Sequence, residues 1–141
     1  MSCARRQALI DAPPDAIWEL LGDPQRHPSW WPRVESVDCG GVEQGCTYRQ
    51  VTKSPMGRVE MNLQAERLED CRELLIRCLD TGTYTHWLLT EARGGTFVDV
   101  EFGMDPRSVS DRIFDTVAGK RFFRRWIEQS IDALGDAAAA V

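Results

Sequence analysis

The sequence has few of the residues that build metal centres or disulfide frameworks. It contains two histidines and five cysteines in 141 residues, and no two cysteines have C-x-x-C spacing. An odd number of scattered cysteines argues against a disulfide framework and against a zinc site. We therefore predict no bound metal and no cofactor, and we interpret the cysteines as small buried side chains.

Long apolar runs are also missing. No segment approaches the roughly 18 apolar residues of a membrane span, and the first twelve residues lack the apolar core of a signal peptide. The net charge is −5 and the isoelectric point is about 5.0, whereas nucleic-acid-binding domains are usually basic. We therefore expect a cytoplasmic protein with neither integral membrane association nor a nucleic-acid partner.

Sequence signatures of catalysis are scarce. No serine or cysteine stands in a nucleophile-elbow sequence, and there is no glycine-rich phosphate loop. Strand alternation points His86 to the same face as Asp99 and Glu101, which favours a surface histidine over a general base. His27 is expected to hydrogen-bond within its own loop.

The chain does contain a change of hydrophobic period. Residues 4–12 have the pattern of a strand, and residues 12–24 that of a short helix that begins at two prolines. From residue 34 to 104 the period is two, with glycine-containing turns, which predicts an antiparallel meander. Residues 108–134 predict a helix whose apolar stripe is Val109, Ile113, Val117, Phe123, Ile127, Ile131 and Leu134.

The turns also assign side chains to sheet faces, because opposed residues of an antiparallel pair point the same way. Three separate hairpins give one consistent apolar face, which the C-terminal helix must cover. The predicted pairs are Leu89 with Val100, Trp87 with Phe102, Ala65 with Leu74, Leu63 with Ile76, Met61 with Cys78, Tyr48 with Leu63, and Gln50 with Met61.

Residues spread over nearly the whole chain carry a resemblance to a known family. The matching residues are Ala12-Pro13, Ile17-Trp18, Leu20-Leu21, Asp23, His27-Pro28, Trp30, Pro32, Val34 and Val37, followed by Gly45, Tyr48 and the Gly94–Thr96 turn. With the C-terminal helix they resemble the SRPBCC superfamily, also called START-like or birch-pollen-allergen-like, in its polyketide cyclase/dehydrase group. The resemblance implies a single α+β helix-grip domain over residues 1–141. In this fold, six or seven strands wrap around the C-terminal helix, and two short helices separate the first two strands.

This resemblance also implies a cavity between sheet and helix that holds a small hydrophobic molecule, such as an aromatic polyketide or a lipid. A filled core remains the alternative. The predicted ligand-binding residues are Trp31, Tyr48, Gln50, Met61, Leu63, Ile76, Trp87, Leu89, Val100, Phe102, Ile113 and Val117.

Three functions remain open from the sequence alone. The first is binding or carriage of the hydrophobic ligand, with Tyr48 and Gln50 as its polar contacts. The second is a cyclase/dehydrase-like enzyme, in which Tyr48 would be the acid or base and confinement of the substrate would supply much of the rate. The third is a protein-interaction module of the co-chaperone-like type without a ligand. Homodimerisation is also left open.

Two positions are left undecided. Pro28 and Pro32 bracket the adjacent tryptophans and predict a segment that is neither helix nor strand, in which Trp30 anchors the loop. Trp31 is then either a lid over the cavity or an exposed aromatic. Lys120 and Arg124 fall near the apolar stripe of a straight helix, so they either face the cavity or extend their stems to the surface.

Overall fold

Seven antiparallel strands form one sheet in the computed structural model, which describes residues 3–41, 43–55 and 57–140. The spatial order is β1-β7-β6-β5-β4-β3-β2, so β2 to β7 form a meander and β1 pairs with the last strand. This confirms the predicted sheet. The strands are β1 (Cys3–Ile10), β2 (Val34–Asp38), β3 (Thr47–Ser54), β4 (Gly57–Glu69), β5 (Glu73–Cys78), β6 (Thr83–Ala92) and β7 (Gly95–Met104).

Two short helices separate β1 from β2, and a long helical segment follows β7. Helix α1 (Pro14–Leu21) buries Ile17, Leu20 and Leu21, as predicted. After one 3₁₀ turn (Pro24–Arg26), His27–Trp30 forms helix α2, so the prediction of an irregular segment there is wrong. Pro28 is tolerated because the first turn of a helix needs no backbone donor. The final segment is α3 (Val109–Phe114), a π-helical stretch (Asp115–Gly119) and α4 (Lys120–Ala139).

The predicted sheet faces are confirmed, although two registers are shifted by two residues. Tyr48 pairs with Leu63 as predicted, while the turn residue Met56 lies outside the described residues. Trp87 pairs with Val100 rather than Phe102, because the β6–β7 turn begins one residue earlier than expected. A shift of two preserves the alternation of faces. The β4–β5 pairs shift likewise, to Ala65 with Ile76 and Leu63 with Cys78, next to a bulge after Ala65.

The predicted helical stripe is correct in its second half and wrong in its first. Phe123, Ile127 and Leu134 are buried against the sheet, and Ile131 packs beside them. Val109, Ile113 and Val117 are exposed instead. The π-helical stretch explains the difference, because its turn contains one extra residue and so rotates the preceding helix by about 100° relative to α4.

The core lies between the inner sheet face and α4, and α1 and α2 close one end of it. Its largest fully buried side chains include Trp87, Phe102 and Phe123. This is the α+β helix-grip arrangement. No helix within the described ranges is long and apolar enough to cross a membrane.

Candidate functional site

An apolar cavity lies where α3 and the start of α4 approach the edge of the inner sheet face. Its volume is about 360 Å³, within the usual order of size for small-molecule sites. Residues of β3, β4, β6 and β7 form the sheet side of the cavity, and α3 and α4 form the other side. The lining residues are Thr52, Ser54, Val59, Met61, Thr81, Thr83, Met104, Ser110, Asp111, Phe114, Phe122, Phe123 and Trp126.

A smaller pocket adjoins this cavity on the side of the core. Its volume is only about 20 Å³, roughly the space of one water molecule. It shares Met61, Thr83 and Trp126 with the larger cavity, so these three side chains stand at the boundary between them. The other lining residues are Trp31, Gln50, Leu63, Ile76, Cys78, Tyr84 and Thr85.

Aromatic rings connect the cavity to the core. The Phe114 and Phe122 centroids are 5.6 Å apart, and those of Phe122 and Trp126 are 5.8 Å apart. Trp126 in turn stacks on Trp31 at 5.9 Å, and Trp31 meets Trp87 edge-on at 5.5 Å. Such rings supply large, rigid apolar surfaces for a flat ligand.

Several lining residues are polar, and three of them, Gln50, Thr52 and Thr85, are buried. The Gln50 side-chain amide donates to Thr52 Oγ1 at 2.9 Å, and this hydroxyl lies 3.5 Å from Met61 Sδ. Thr85 Oγ1 lines the inner pocket, is buried and has no hydrogen-bond partner among the described residues. An unpaired buried hydroxyl costs about 1–3 kcal/mol, so a ligand or water that paired with it would be favoured.

Tyr48 is buried beside the inner pocket but does not line it. Its hydroxyl has no hydrogen-bond partner in the described part of the chain. Burial, followed by the nearby Cys39 and Cys46 thiols, raises the pKa of the Tyr48 hydroxyl above its usual value. The phenol therefore stays protonated at neutral pH and is suited to donate a hydrogen bond rather than to act as a base.

Apart from Tyr48, the predicted ligand-binding residues divide into three groups. Trp31, Gln50, Met61, Leu63 and Ile76 line the cavity or the inner pocket. Trp87, Leu89, Val100 and Phe102 lie on the inner face as predicted, but they are buried in the core and line neither the cavity nor the inner pocket. The position expected for Ile113 and Val117 is wrong, because the π-helical stretch turns them outward to solvent.

Trp31 is neither of the two alternatives expected for it. It is buried, and its indole Nε1 donates to Ser130 Oγ at 2.9 Å, which joins the α2 segment to α4. Trp30 does anchor its segment, because its Nε1 donates to the Leu20 carbonyl at 2.9 Å. Lys120 and Arg124 are exposed, so they point to the surface rather than into the cavity.

Several lining residues were missed from the sequence. Thr83 and Thr85 alternate with Trp87 along β6, so the same period-two pattern placed them on the inner face. Their modest size and polarity did not mark them as site residues. Trp126 adjoins Phe123 at helical spacing and could have been found, whereas Phe114 depends on the π-helical phase shift, which leaves no mark in the apolar pattern.

The two histidines lie away from the cavity. His86 Nε2 is 2.6 Å from Glu73 Oε2 on the outer sheet face, as its predicted orientation required. His27 is fully buried, with Nε2 2.7 Å from the Leu21 carbonyl oxygen, which confirms the local bond expected for it. Burial lowers the pKa of His27 to about 4. No group of three histidine, cysteine or acidic side chains within the described ranges is placed to hold a metal ion.

The described residues thus form a helix-grip fold with an apolar cavity. A known family matches almost the whole chain. The family described as "Polyketide cyclase / dehydrase and lipid transport" matches residues 1–139. The chain belongs to this family. Membership in the polyketide cyclase/dehydrase family confirms the resemblance seen in the sequence and supports a ligand-binding or cyclase-like role. Among curated proteins, no sequence matches this one.

Several solved structures share the fold. TTHA0849 from Thermus thermophilus is 17% identical with a TM-score of 0.78, over 98% of this chain and 97% of that one. The AHSA1-like protein from Aeromonas hydrophila is 16% identical with a TM-score of 0.72, over 98% and 92% of the two chains. The di-domain ARO/CYC BexL from the BE-7585A biosynthetic pathway is 15% identical with a TM-score of 0.65, over 98% of this chain and 48% of BexL. At these identities the likeness concerns the fold alone.

Proposed function

We propose that the protein binds and carries a small, mainly apolar, ring-bearing molecule in the cavity beneath α3. The observation that carries this proposal is the cavity of about 360 Å³, whose walls include Phe114, Phe122 and Trp126. Stacking on these rings would hold a flat ligand, and polar side chains at the inner end would hydrogen-bond to its oxygen atoms.

The polar partners proposed for the ligand lie at the inner end. Thr85 offers an unpaired hydroxyl, and Gln50 and Thr52 form a hydrogen-bonded pair that a ligand oxygen could join. A hydroxyl or ketone of the ligand that reached the inner pocket would satisfy Thr85. The ligand class is therefore an apolar ring system with one or two oxygen substituents, which includes aromatic polyketides and quinones.

A thermal-shift panel tests the proposal. Candidates are aromatic polyketides, quinones, sterols and fatty acids, each titrated against the protein. A ligand present at about 100 times its Kd should raise the free energy of unfolding by about 2.7 kcal/mol. Stabilisation by ring-bearing ligands and not by unbranched fatty acids supports the proposed class. A panel without any stabilisation contradicts it.

A cyclase/dehydrase-like activity is the second candidate. Its proposed donor is the buried Tyr48 hydroxyl, which stays protonated and has no hydrogen-bond partner among the described residues. Tyr48 lies two residues from Gln50 on β3 and outside the pocket lining, so it would donate to a developing oxyanion only if the inner pocket widened toward it. Confinement of a flexible chain would supply the remaining rate enhancement. Under this hypothesis Tyr48→Phe loses turnover of a linear polyketide substrate and still binds the product. Equal turnover by Tyr48→Phe and the unaltered protein would remove Tyr48 from the mechanism.

The proposed setting is the cytoplasm. All five cysteines are free thiols, which suits a reducing compartment, and two of them, Cys39 and Cys78, are buried. The interaction-module alternative predicts no ligand at all, so the same thermal-shift panel separates it from the carrier.

A further inference from the structure

Three large aliphatic side chains are exposed on the outer face of α3 and the π-helical stretch. Val109, Ile113 and Val117 keep 75%, 59% and 79% of their surface in solvent. They are spaced by four residues, so they form one stripe along the helix. We call these three residues the outer stripe. Single exposed apolar residues are common, but a contiguous stripe indicates an interaction surface.

The outer stripe is a product of the π-helical stretch. In an uninterrupted α-helix Val109 would lie five turns from Ile127 and on the same face, within the core. The extra residue between Asp115 and Gly119 turns the stripe outward and leaves α3 without a buried residue. Bulges of this kind occur frequently at functional sites.

Cations flank the outer stripe at its C-terminal end. Lys120, Arg121, Arg124 and Arg125 are all exposed and line one surface groove of about 690 Å³ together with Val117. The acidic groups of the same groove are Asp115, which is buried, and Glu128, which pairs with Arg6 at 2.9 Å. This face therefore carries a local excess of positive charge on a chain whose net charge is −5.

The opposite face of α3 belongs to the cavity. Ser110, Asp111 and Phe114 line it from the helix side. The outer stripe thus lies on the outside of a cavity wall that is one helix thick. A partner bound to the stripe would be separated from the cavity only by α3.

We propose that the outer stripe and its flanking cations dock on an anionic lipid bilayer. The three aliphatic tips would enter the headgroup–acyl boundary, and the lysine and arginines would meet anionic headgroups. The stripe lies on the convex surface of a helix, and the exposed cations beside it complement anionic headgroups, so an anionic bilayer fits both features. The docking itself does not depend on the proposed function, whereas a route for an apolar ligand from the bilayer into the cavity does.

Vesicle co-sedimentation tests the docking. The full-length chain should sediment with vesicles of phosphatidylcholine and phosphatidylserine in equal parts, and far less with phosphatidylcholine alone. Added salt should weaken the binding because it screens the cations. The triple variant Val109→Gln/Ile113→Gln/Val117→Gln should abolish it. Arg121→Glu with Arg124→Glu should reduce it by more than tenfold, since each cation near the surface contributes about fivefold.

Control variants place single changes of the same kind elsewhere. Leu9→Gln removes an exposed aliphatic side chain from the outer sheet face, and Arg93→Glu reverses a charge in the exposed β6–β7 turn. Both should sediment like the unaltered protein. Equal vesicle binding by the triple glutamine variant, or no binding by the unaltered protein at low salt, overturns the proposal; in the second case an acidic protein partner becomes the occupant to test.

The ligand panel keeps the two proposals separate. The triple glutamine variant should lose vesicle binding and retain stabilisation by any ligand of the cavity, because its substitutions lie outside the lining. If the unaltered protein binds anionic vesicles but no ligand stabilises it, the carrier function fails and the docking stands. If ligands stabilise it and vesicles do not bind, the docking fails alone.

Discussion

Trp31 and Trp126 stack at 5.9 Å and each donates its indole N–H to the other's segment. Trp31 Nε1 bonds to Ser130 Oγ on α4, and Trp126 Nε1 bonds to the Pro32 carbonyl at 2.8 Å. This reciprocal pair holds the α2 segment against α4 beside the inner pocket. The pair therefore sets one wall of the proposed ligand site through structural bonds.

The first prediction concerns the buried Ser130 hydroxyl. Ser130→Ala leaves Trp31 Nε1 without an acceptor, and an unpaired buried donor costs about 1–3 kcal/mol of unfolding free energy. Urea unfolding measures the loss. Ser29→Ala is the control, because Ser29 is exposed in the same segment and should change stability by less than about 0.5 kcal/mol. Equal effects of the two substitutions would contradict the assigned bond.

The second prediction concerns pH and His27. The Leu21 carbonyl can only accept, so Nε2 carries the proton, and Nδ1 is buried without a hydrogen-bond partner among the described residues. Protonation would bury an uncompensated charge, and burial lowers the pKa of His27 to about 4 from 6.5. The unfolded chain binds the proton more readily, so this contribution to stability is complete above pH 6.5 and falls between pH 6.5 and about 4.

The expected loss over this range is about 3 kcal/mol, from the difference between the two pKa values. Denaturant unfolding at several pH values within it gives the slope. His27→Gln keeps a donor for Leu21 but does not titrate, so its stability should change much less across the same range. An identical slope in both proteins would assign the pH dependence to other groups.

The third prediction concerns the cavity wall on β4. Val59 lines the cavity on β4, so Val59→Trp should fill the space and weaken ligand binding at least tenfold with little loss of stability. Val51→Trp is the matched control, because Val51 is also half-buried but pairs with Glu60 on the opposite sheet face. Ligand titrations of both variants check the prediction. Ligand binding that survives Val59→Trp would place the ligand outside this cavity.

The fourth prediction compares two adjacent glycines in the β6–β7 turn. Gly95 has φ +152°, and an added Cβ would overlap the carbonyl oxygen of Ile10. Gly95→Ala should therefore cost about 3 kcal/mol or more. Gly94 also has a positive φ, +85°, but open space around it, so Gly94→Ala should cost about 1 kcal/mol. Thermal unfolding of the two variants distinguishes a backbone overlap from conformational strain alone.

Most of the fold was predictable because it rests on alternation. A register error of two residues, such as Trp87 with Phe102 in place of Val100, leaves every side chain on its correct face. The predicted sheet and the assignment of side chains to its apolar face were therefore correct, even though the turns were misplaced. The exact pairs depend on turn geometry, which the residue types around Arg93 and Gly94 did not determine.

The site was less predictable because it depends on where packing is incomplete. Leu63 and Leu89 both lie on the inner face, but only Leu63 borders the pocket, while Leu89 is packed within the core. The periodicity of apolar residues cannot predict where the core is left unfilled. It cannot predict the π-helical stretch either, because Val109 and Val117 fit the pattern of an uninterrupted helix equally well.

The aromatic contacts around the cavity have an optical consequence. Four of the five tryptophans, Trp30, Trp31, Trp87 and Trp126, form one connected cluster, and two of them line the ligand space. Rings this close exchange excitation energy, so a quinone or polyketide stacked on Trp126 would quench the emission of the whole cluster. A ligand in the cavity should therefore lower the tryptophan emission of the protein, and Trp18, which is not part of the cluster, should contribute to the emission that remains.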